Sequence, residues 1–515
     1  MMNRSILHNK TRARFSTKHR KVAHKSFLEN DQAHWDDVHS LEASYWQREG
    51  GQRALKLFKT ASVRIPAYKD FLKKNRVNPD IITTADFNKL PETSKENYIN
   101  AYPLEACSWD GTLDTHRILA ISSGTSGEPT LWPRGTIQER EAAAIHEFIY
   151  TQLFNIDTHR TLLVIGFPMG LYVSGVATSL PSFVVSVTHP KLTIATVGNQ
   201  KDQILTLLKH TGDTYEQIIL VGHPFFLKDV LETGMKEGIK WHGLHTRMLS
   251  CSEGFTEAWR DYVSTIAGKH GEDVFFNTYG SSEFLLMGFE NPHTIAIRKA
   301  AGSSEVLSRR LFGSSEPPGL FQFNPLTRFI ESNGTDLLVT ANAGIPLIRF
   351  NQHDAGNIYT FEDIQKQIKS TMSITKHLKE NHWKPWHLPF VTLFGRSDHT
   401  LVFYAANIYP EHIRIGLEDK VLLKKLTGNF LMRKTLSNME QTLHIHVEMR
   451  PSIRESTNLA SLIKKKIVQT LLEINQEYKD ASLRNSADLT PHISLHSYHD
   501  AHYFKPGTKH HYIDK

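Results

Sequence analysis

Between residues 160 and 350, short apolar runs alternate with stretches whose apolar positions recur every three or four residues. The runs "LLVIGF", "FVVSV", "LTIAT", "QIILVG", "RMLSCS", "LLVTA" and "LIRF" read as strands, and "KDQILTLLKHTG" and "FLKDVLETGMKEG" read as amphipathic helices. This alternation predicts an α/β fold with substantial parallel sheet, because parallel neighbours need a crossover that a helix supplies. Near residue 390 the pattern changes: "HLPFVTLFGRSDHTLVFYAANIYPEHI" leads into a polar strand, "QTLHIHVEMRPS", and a long helical stretch, "NLASLIKKKIVQTLLEINQEY". The change predicts a large domain over 29–395 and a small, mobile α+β domain over 396–515. The stretch 301–320, "AGSSEVLSRRLFGSSEPPGL", reads as an exposed loop.

One segment tests the soluble reading. Residues 161–190 contain no Asp, Glu, Lys or Arg and are long enough to cross a bilayer. Gly166, Pro168, Gly170, Gly175 and Pro181 interrupt them, so they read instead as strand, turn, helix and strand inside a core. At 515 residues, with 40% hydrophobic and 22% charged residues, the chain has globular composition. Its net charge of +7 belongs to a tail. Residues 1–28 hold eight Lys/Arg and no acid, so the remainder sums to −1 and gives no nucleic-acid signature. The tail reads as a solvated, disordered extension, with a targeting segment as the alternative. Two cysteines, Cys107 and Cys251, are too few for a disulfide framework and point to a reducing, cytoplasmic setting.

The chemistry starts at "SSGTSGEPT", residues 122–130, which follows the apolar run "RILAI". It reads either as a surface turn or as a phosphate cradle, in which glycines let backbone N–H groups approach an anion and hydroxyls donate from the sides. No lysine follows the second glycine as a Walker loop requires, so a phosphate here needs its cation from elsewhere. Four further segments follow in order: "FFNTYGSSEF" with Tyr279, Gly280, Ser281 and Glu283; "GIPLIRFNQHDAG" with Arg349 and Asp354; "FGRSDHTLVFYAANIYPEHI" with Arg396 and Asp398; and "FKPGTKHHYIDK" with Lys509.

This series, from about residue 60 to the C-terminus, resembles the AMP-forming adenylating enzymes. The opening "SVRIPAYKDF…KLPETSKENY", with "PLIRF", "HDAG" and "GRSD…NIYP", resembles their phenylacetate-CoA ligase-like branch. The resemblance implies ATP and Mg²⁺ as cofactors, with Ser122, Ser123, Gly124, Thr125, Ser126 and Gly127 around the phosphates. It implies that Tyr279 lies along the adenine, that Gly280 and Ser281 belong to the cofactor site, that Glu283 holds Mg²⁺, and that Asp354 and Arg396 bind the nucleotide. Asp398 falls at the hinge position. Lys509 falls where a swinging lysine bridges the α-phosphate and the substrate carboxylate, with Thr125 and Glu283 as the other catalytic groups. By family position, Phe167, Tyr172, His223, Phe225 and Glu253 line an acyl pocket suited to an aryl or medium acyl acid.

The implied reaction turns a small carboxylic acid into an acyl-AMP and passes the acyl group to CoA. Two departures keep other acceptors open. Glu128 stands where the family usually has lysine, and Ala405-Ala406 stand where relatives usually carry a glycine that admits the pantetheine arm. The alternatives are a carrier-protein thiol, an amine or a glycan as acceptor, or a degenerate nucleotide-binding relative. A homodimer is compatible with the chain. The cluster His499, Asp500, His502, His510 and His511 reads as a metal site or as basic-polar surface, and no H-E-x-x-H pattern accompanies it.

Overall fold

The computed structural model describes residues 33–121, 130–170, 173–268, 273–396, 401–404, 406–437, 440–475, 478–479, 481–482, 489–505 and 512–514. Its centre is a nine-stranded mixed sheet. Leu192–Ala195, Thr161–Ile165, Gln217–Gly222, Thr246–Cys251 and Phe275–Ser281 lie side by side and parallel. Leu285–Phe289, Gly319–Gln322, Phe390–Leu393 and Ile358–Tyr359 extend it antiparallel. Helices cross between the parallel strands, and the period-two alternation of each strand divides its side chains between two layers. Leu163, Ile165, Ile219 and Val221 pack with Phe148 and Trp386 on one side. Leu162, Val164, Ile218 and Leu220 pack with Val230, Trp241 and Trp259 on the other.

A four-stranded antiparallel sheet of Phe329–Ser332, Asp336–Ala341, Leu347–Ala355 and Gly395–Arg396 packs against the helix Ala43–Arg64 through Phe58, Leu337, Val339 and Phe350. Beyond it, His492–His496, Glu440–Met449, Leu426–Ser437 and Ile513–Asp514 form a second four-stranded sheet. Ile413 of Pro410–Leu417 and Ile463 and Ile467 of Thr457–Ile474 join Phe430, Ile445 and Val447 in its core.

Two expectations are corrected. "FVVSV" is not a strand: Val173–Ser186 is one helix that runs through Pro181. Ala177, Thr178, Pro181, Ser182 and Val185 are buried while Leu180 and Phe183 are exposed, so the β-branched run is read by a helical face packed on Thr136–Phe154. Tertiary burial overrides local strand preference here. The stretch 301–320 is not all loop either. Ser304 accepts a hydrogen bond from the Leu307 N–H and caps Glu305–Phe312, which buries Leu307, Leu311 and Phe312 and stops at Gly313, φ 72°. Among the described residues no helix is long and apolar enough to cross a membrane.

Candidate functional site

In an open parallel sheet the strand ends beside a reversal of winding leave a crevice. Leu192–Ala195 lies on one side of Thr161–Ile165 and Gln217–Gly222 on the other, so the crevice opens after Ile165 and Gly222. Phe167 and His223 follow those two strands, and their rings meet edge to face with centroids 5.0 Å apart. Next along the same edge, the Asn277 side-chain amide donates to the Glu253 carbonyl at 2.9 Å, which fixes the loop after Thr246–Cys251 against "NTYG".

Tyr279, two residues before the end of Phe275–Ser281, donates from its hydroxyl to Asp354 Oδ2 at 2.7 Å, and its ring packs against Phe321. Both residues are buried. Asp354 stands near the end of Leu347–Ala355 and is the direct cross-strand partner of Arg396. Gly280 is required where it stands, because a Cβ there would lie 2.7 Å from the Leu285 carbonyl oxygen. Ser281 pairs with Leu285 at the tip of the same hairpin.

Glu283 is buried in that tip, with Oε1 2.9 Å from Lys95 Nζ. Its carbonyl accepts from the Gln138 side chain at 3.1 Å. Lys95 also lies over the Trp132 ring, 5.6 Å from its centroid. Lys95 arrives there because "LPETSK" runs beside "PLIRF". The Thr93 N–H donates to the Arg349 carbonyl at 3.1 Å, the Asn351 N–H donates to the Thr93 carbonyl at 2.7 Å, and the Thr93 hydroxyl donates to the Ile348 carbonyl at 2.8 Å. Arg349 itself bonds the Leu90 carbonyl and pairs with Glu331 at 3.3 Å, so it clamps this segment instead of facing a ligand. Sequence reasoning found "ETSK" as part of a motif and missed Lys95 as the partner of Glu283.

Ser122, Ser123, Gly124, Thr125, Ser126, Gly127 and Glu128, together with Tyr172, Asp398, Ala405, Lys509, His510 and His511, lie outside the described residues, as do the side chains of Phe225 and Arg396. The bounds of the loop are described: His116–Ile121 and Leu131–Gly135 pair antiparallel, with Ile121 opposite Leu131, so residues 122–130 connect a β-hairpin. Arg134 on the second strand forms a two-pronged pair with Glu139, 2.7 and 2.9 Å.

From the C-terminal side, Arg414 is buried against the Tyr512 ring, 4.9 Å away, with Glu411 at 3.9 Å. Burial opposes its charge, but Tyr512, Glu411, Glu253 and Glu418 outweigh burial and raise its pKa above the usual arginine range. Burial raises the carboxyls of Glu411 and Glu418, and Glu418 accepts from the Thr256 N–H at 2.7 Å. Gly395 has φ 130°, and a Cβ there would overlap the Glu411 carboxylate.

Tyr279, Glu283, Lys95, Asp354, Phe167, His223, Glu253 and Arg414 all line one cleft of about 1880 Å³. His146, on Thr136–Phe154, lines it too and carries no motif by which the sequence signals it. Of the histidine cluster, His499 also lines this cleft, His502 and Asp500 follow it in the same turn, and His510 and His511 lie outside the described residues. Asp500 accepts the N–H groups of His502 and Tyr503 at 2.9 and 3.0 Å, and the His499 ring stacks on Tyr498. Among the described residues no group of three or more His, Cys, Asp or Glu is arranged to hold a metal.

Compared by sequence, the chain matches no protein-family model and no curated protein. Compared by structure, it has the fold of the AMP-forming adenylating enzymes. It is similar to 2-hydroxyisobutyryl-CoA ligase in the postadenylation state with R3-HIB-AMP: TM-score 0.65, 12% identity, covering 95% of this chain and 92% of that one. The same ligase with 2-HIB-AMP and CoA in the thioesterification state gives a TM-score of 0.54 at 13% identity, covering 94% and 93%. An acyl acid amido synthetase, AtGH3.15, in complex with 2,4-DB gives 0.52 at 14% identity, covering 94% and 90%.

Proposed function

We propose that this protein activates a carboxylic acid with ATP and transfers the acyl group to the CoA thiol, as a phenylacetate-CoA ligase-like enzyme. The observation that carries the reading is the meeting of Tyr279 and Asp354, 75 residues apart, beside Glu283 at the carboxyl edge of the parallel strands. An ionised carboxylate there accepts the ribose hydroxyls, and the Tyr279 ring supplies a face for adenine. In the first step a carboxylate oxygen attacks the α-phosphorus of ATP, and the bond to pyrophosphate breaks as pyrophosphate leaves. In the second the thiol gives up its proton to solvent as its sulfur attacks the acyl carbon, and AMP leaves with the electrons of the broken C–O bond. Residues 122–127 hold the phosphates, Lys509 lies between the converging anions, and Arg396 contacts the nucleotide, in the roles their motifs suggest.

Glu283 fits Mg²⁺. It is a hard oxygen donor, and Mg²⁺ takes one or two protein carboxylates while phosphates and water fill the rest of its shell. When bound, the ion offsets the charge of the phosphates. We place the boundary between the large and small units at 396, with Asp398 as the hinge. The higher TM-score against the postadenylation form supports assigning the arrangement described here to the first half-reaction. A second reading, transfer to an amine, a carrier-protein thiol or a glycan, is favoured by one feature: Ala405-Ala406 stand where the family resemblance implies a glycine for the thiol arm, and Ala406 is fully buried in Ala406–Ile408.

The test is carboxylate-dependent ATP/pyrophosphate exchange across a panel of acids, followed by consumption of free CoA. Asp354→Ala is expected to raise the ATP KM and to cost adenylation about 2–3 kcal/mol, the scale of a charge-assisted hydrogen bond left unpaired. Exchange that no acid stimulates would sink the proposal, and exchange without CoA consumption would move it to the second reading.

A further inference from the structure

His146 is 3% exposed, yet it lines the cleft. Its Nδ1 lies 2.6 Å from the Ala142 carbonyl, which can only accept, so Nδ1 carries the proton and Nε2 carries a lone pair. Burial holds the ring neutral by pushing its pKa down to about 4. Among the described residues no group donates to Nε2. Ala142, one turn before it, packs with Ala177, Leu285 and Val173 in a small apolar cluster, and the last three line the same cleft. Thr178 also lines the cleft but donates its hydroxyl to the Ser174 carbonyl at 2.9 Å, and the neighbouring Tyr150 hydroxyl is engaged with Ser182 at 2.8 Å. Nε2 is therefore a hydrogen-bond acceptor held ready in an apolar part of the cleft.

We propose that His146 sets the substrate class: the acid carries a neutral O–H or N–H on its acyl part, which donates to His146 Nε2, and plain hydrocarbon acids are disfavoured. The inference rests on the proposed acid activation. A site built to hydrogen-bond a substrate group rejects the analogue that lacks it, because binding the analogue leaves a buried acceptor unpaired. A purely apolar pocket discriminates far less.

The experiment compares kcat/KM for pyrophosphate release with matched acids: 4-hydroxyphenylacetate and phenylacetate, 3-(4-hydroxyphenyl)propanoate and 3-phenylpropanoate, indole-3-acetate and its N-methyl derivative, and 6-hydroxyhexanoate and hexanoate. The donor-bearing member of at least one pair is expected to win by about tenfold to a hundredfold. His146→Phe should level that pair, and His146→Gln, which keeps an acceptor, should retain part of the preference. A wild type that favours no donor-bearing acid overturns the inference while leaving acid activation intact, and so does a preference that survives in His146→Phe. If no acid releases pyrophosphate, the proposed function fails, and the inference fails with it. If His146→Phe does not fold, ¹⁵N spectra of histidine-labelled wild type decide. The preferred acid should shift the Nε2 resonance of His146 where its matched partner does not, and equal shifts from both would refute the proposal.

Discussion

Glu283 and Lys95 show how one contact decides what a residue can do. The carboxylate is buried and Lys95 Nζ is 2.9 Å from it, so removing the lysine leaves a nearly solvent-free charge unpaired. Lys95 is itself about one-third exposed, which moderates the cost. Lys95→Met is expected to lower stability by about 1–3 kcal/mol without ligand. Mg²⁺ with ATP should recover much of that loss, because the ion then takes the place of the ammonium beside Glu283. Thermal melts with and without Mg·ATP check this: the ligand-induced rise should be larger in the variant than in the wild type, and equal rises would separate Glu283 from the metal.

At the level of elements, "LPETSK" has no strong secondary-structure period and is ordered by its neighbour. Thr93 bridges to Phe350 in parallel, 257 positions along the chain, and that pairing puts Lys95 at the hairpin tip. The helix Glu305–Phe312 is the opposite case, because its signals are local: a Ser cap, Leu307 and Leu311 four apart, and Gly313 past the end. Ser304→Ala is expected to cost about 1 kcal/mol of stability and to leave pyrophosphate exchange unchanged, since the helix packs behind the sheet through Leu307, Leu311 and Phe390 and not through the nucleotide groups. A loss of exchange without loss of stability would give this helix a role the packing does not suggest.

Across the whole molecule, the helix Pro224–Lys236 packs on the parallel strands and also on Leu426–Ser437 of the C-terminal four-stranded sheet. Lys228, 2% exposed, donates to the carbonyls of Leu423 and Leu426 at 2.8 and 3.1 Å. Glu232 pairs with Arg450, the Tyr498 hydroxyl donates to Asp229 at 3.0 Å, and Leu423 is buried with Val230, Trp241 and Trp259. Burial, assisted by Arg450, lowers the Lys228 pKa to about 7. The ordinary value, 10.5, applies to the unfolded chain, which therefore holds more protons on this group between about pH 7 and 10.5. The stability contribution of Lys228 is accordingly least favourable below pH 7 and improves as pH rises, by at most about 1.4 kcal/mol per pH unit. The denaturation midpoint of the wild type relative to Lys228→Met should rise from pH 7 to pH 9. A flat difference would mean that the lysine stays charged when buried.

The apolar alternation of the chain by itself determined the parallel strands and their crossover helices, because period and turn chemistry are local and the strands are buried on both faces. The order of the motifs singles out Tyr279, Glu283 and Asp354 only through the family that the series resembles, since each of these residue types is common outside any site. What only the tertiary structure decided is which residues meet. "FVVSV" is helical because the Thr136–Phe154 helix buries one of its faces, and Arg349 is a clamp because Leu90 and Glu331 surround it. Lys95 reaches Glu283 through a strand register set some 255 residues away, and His146 and Lys228 look like ordinary helix residues until burial removes their water. Contacts between distant segments depend on sheet register and packing, and neither is encoded in the spacing of neighbouring residues.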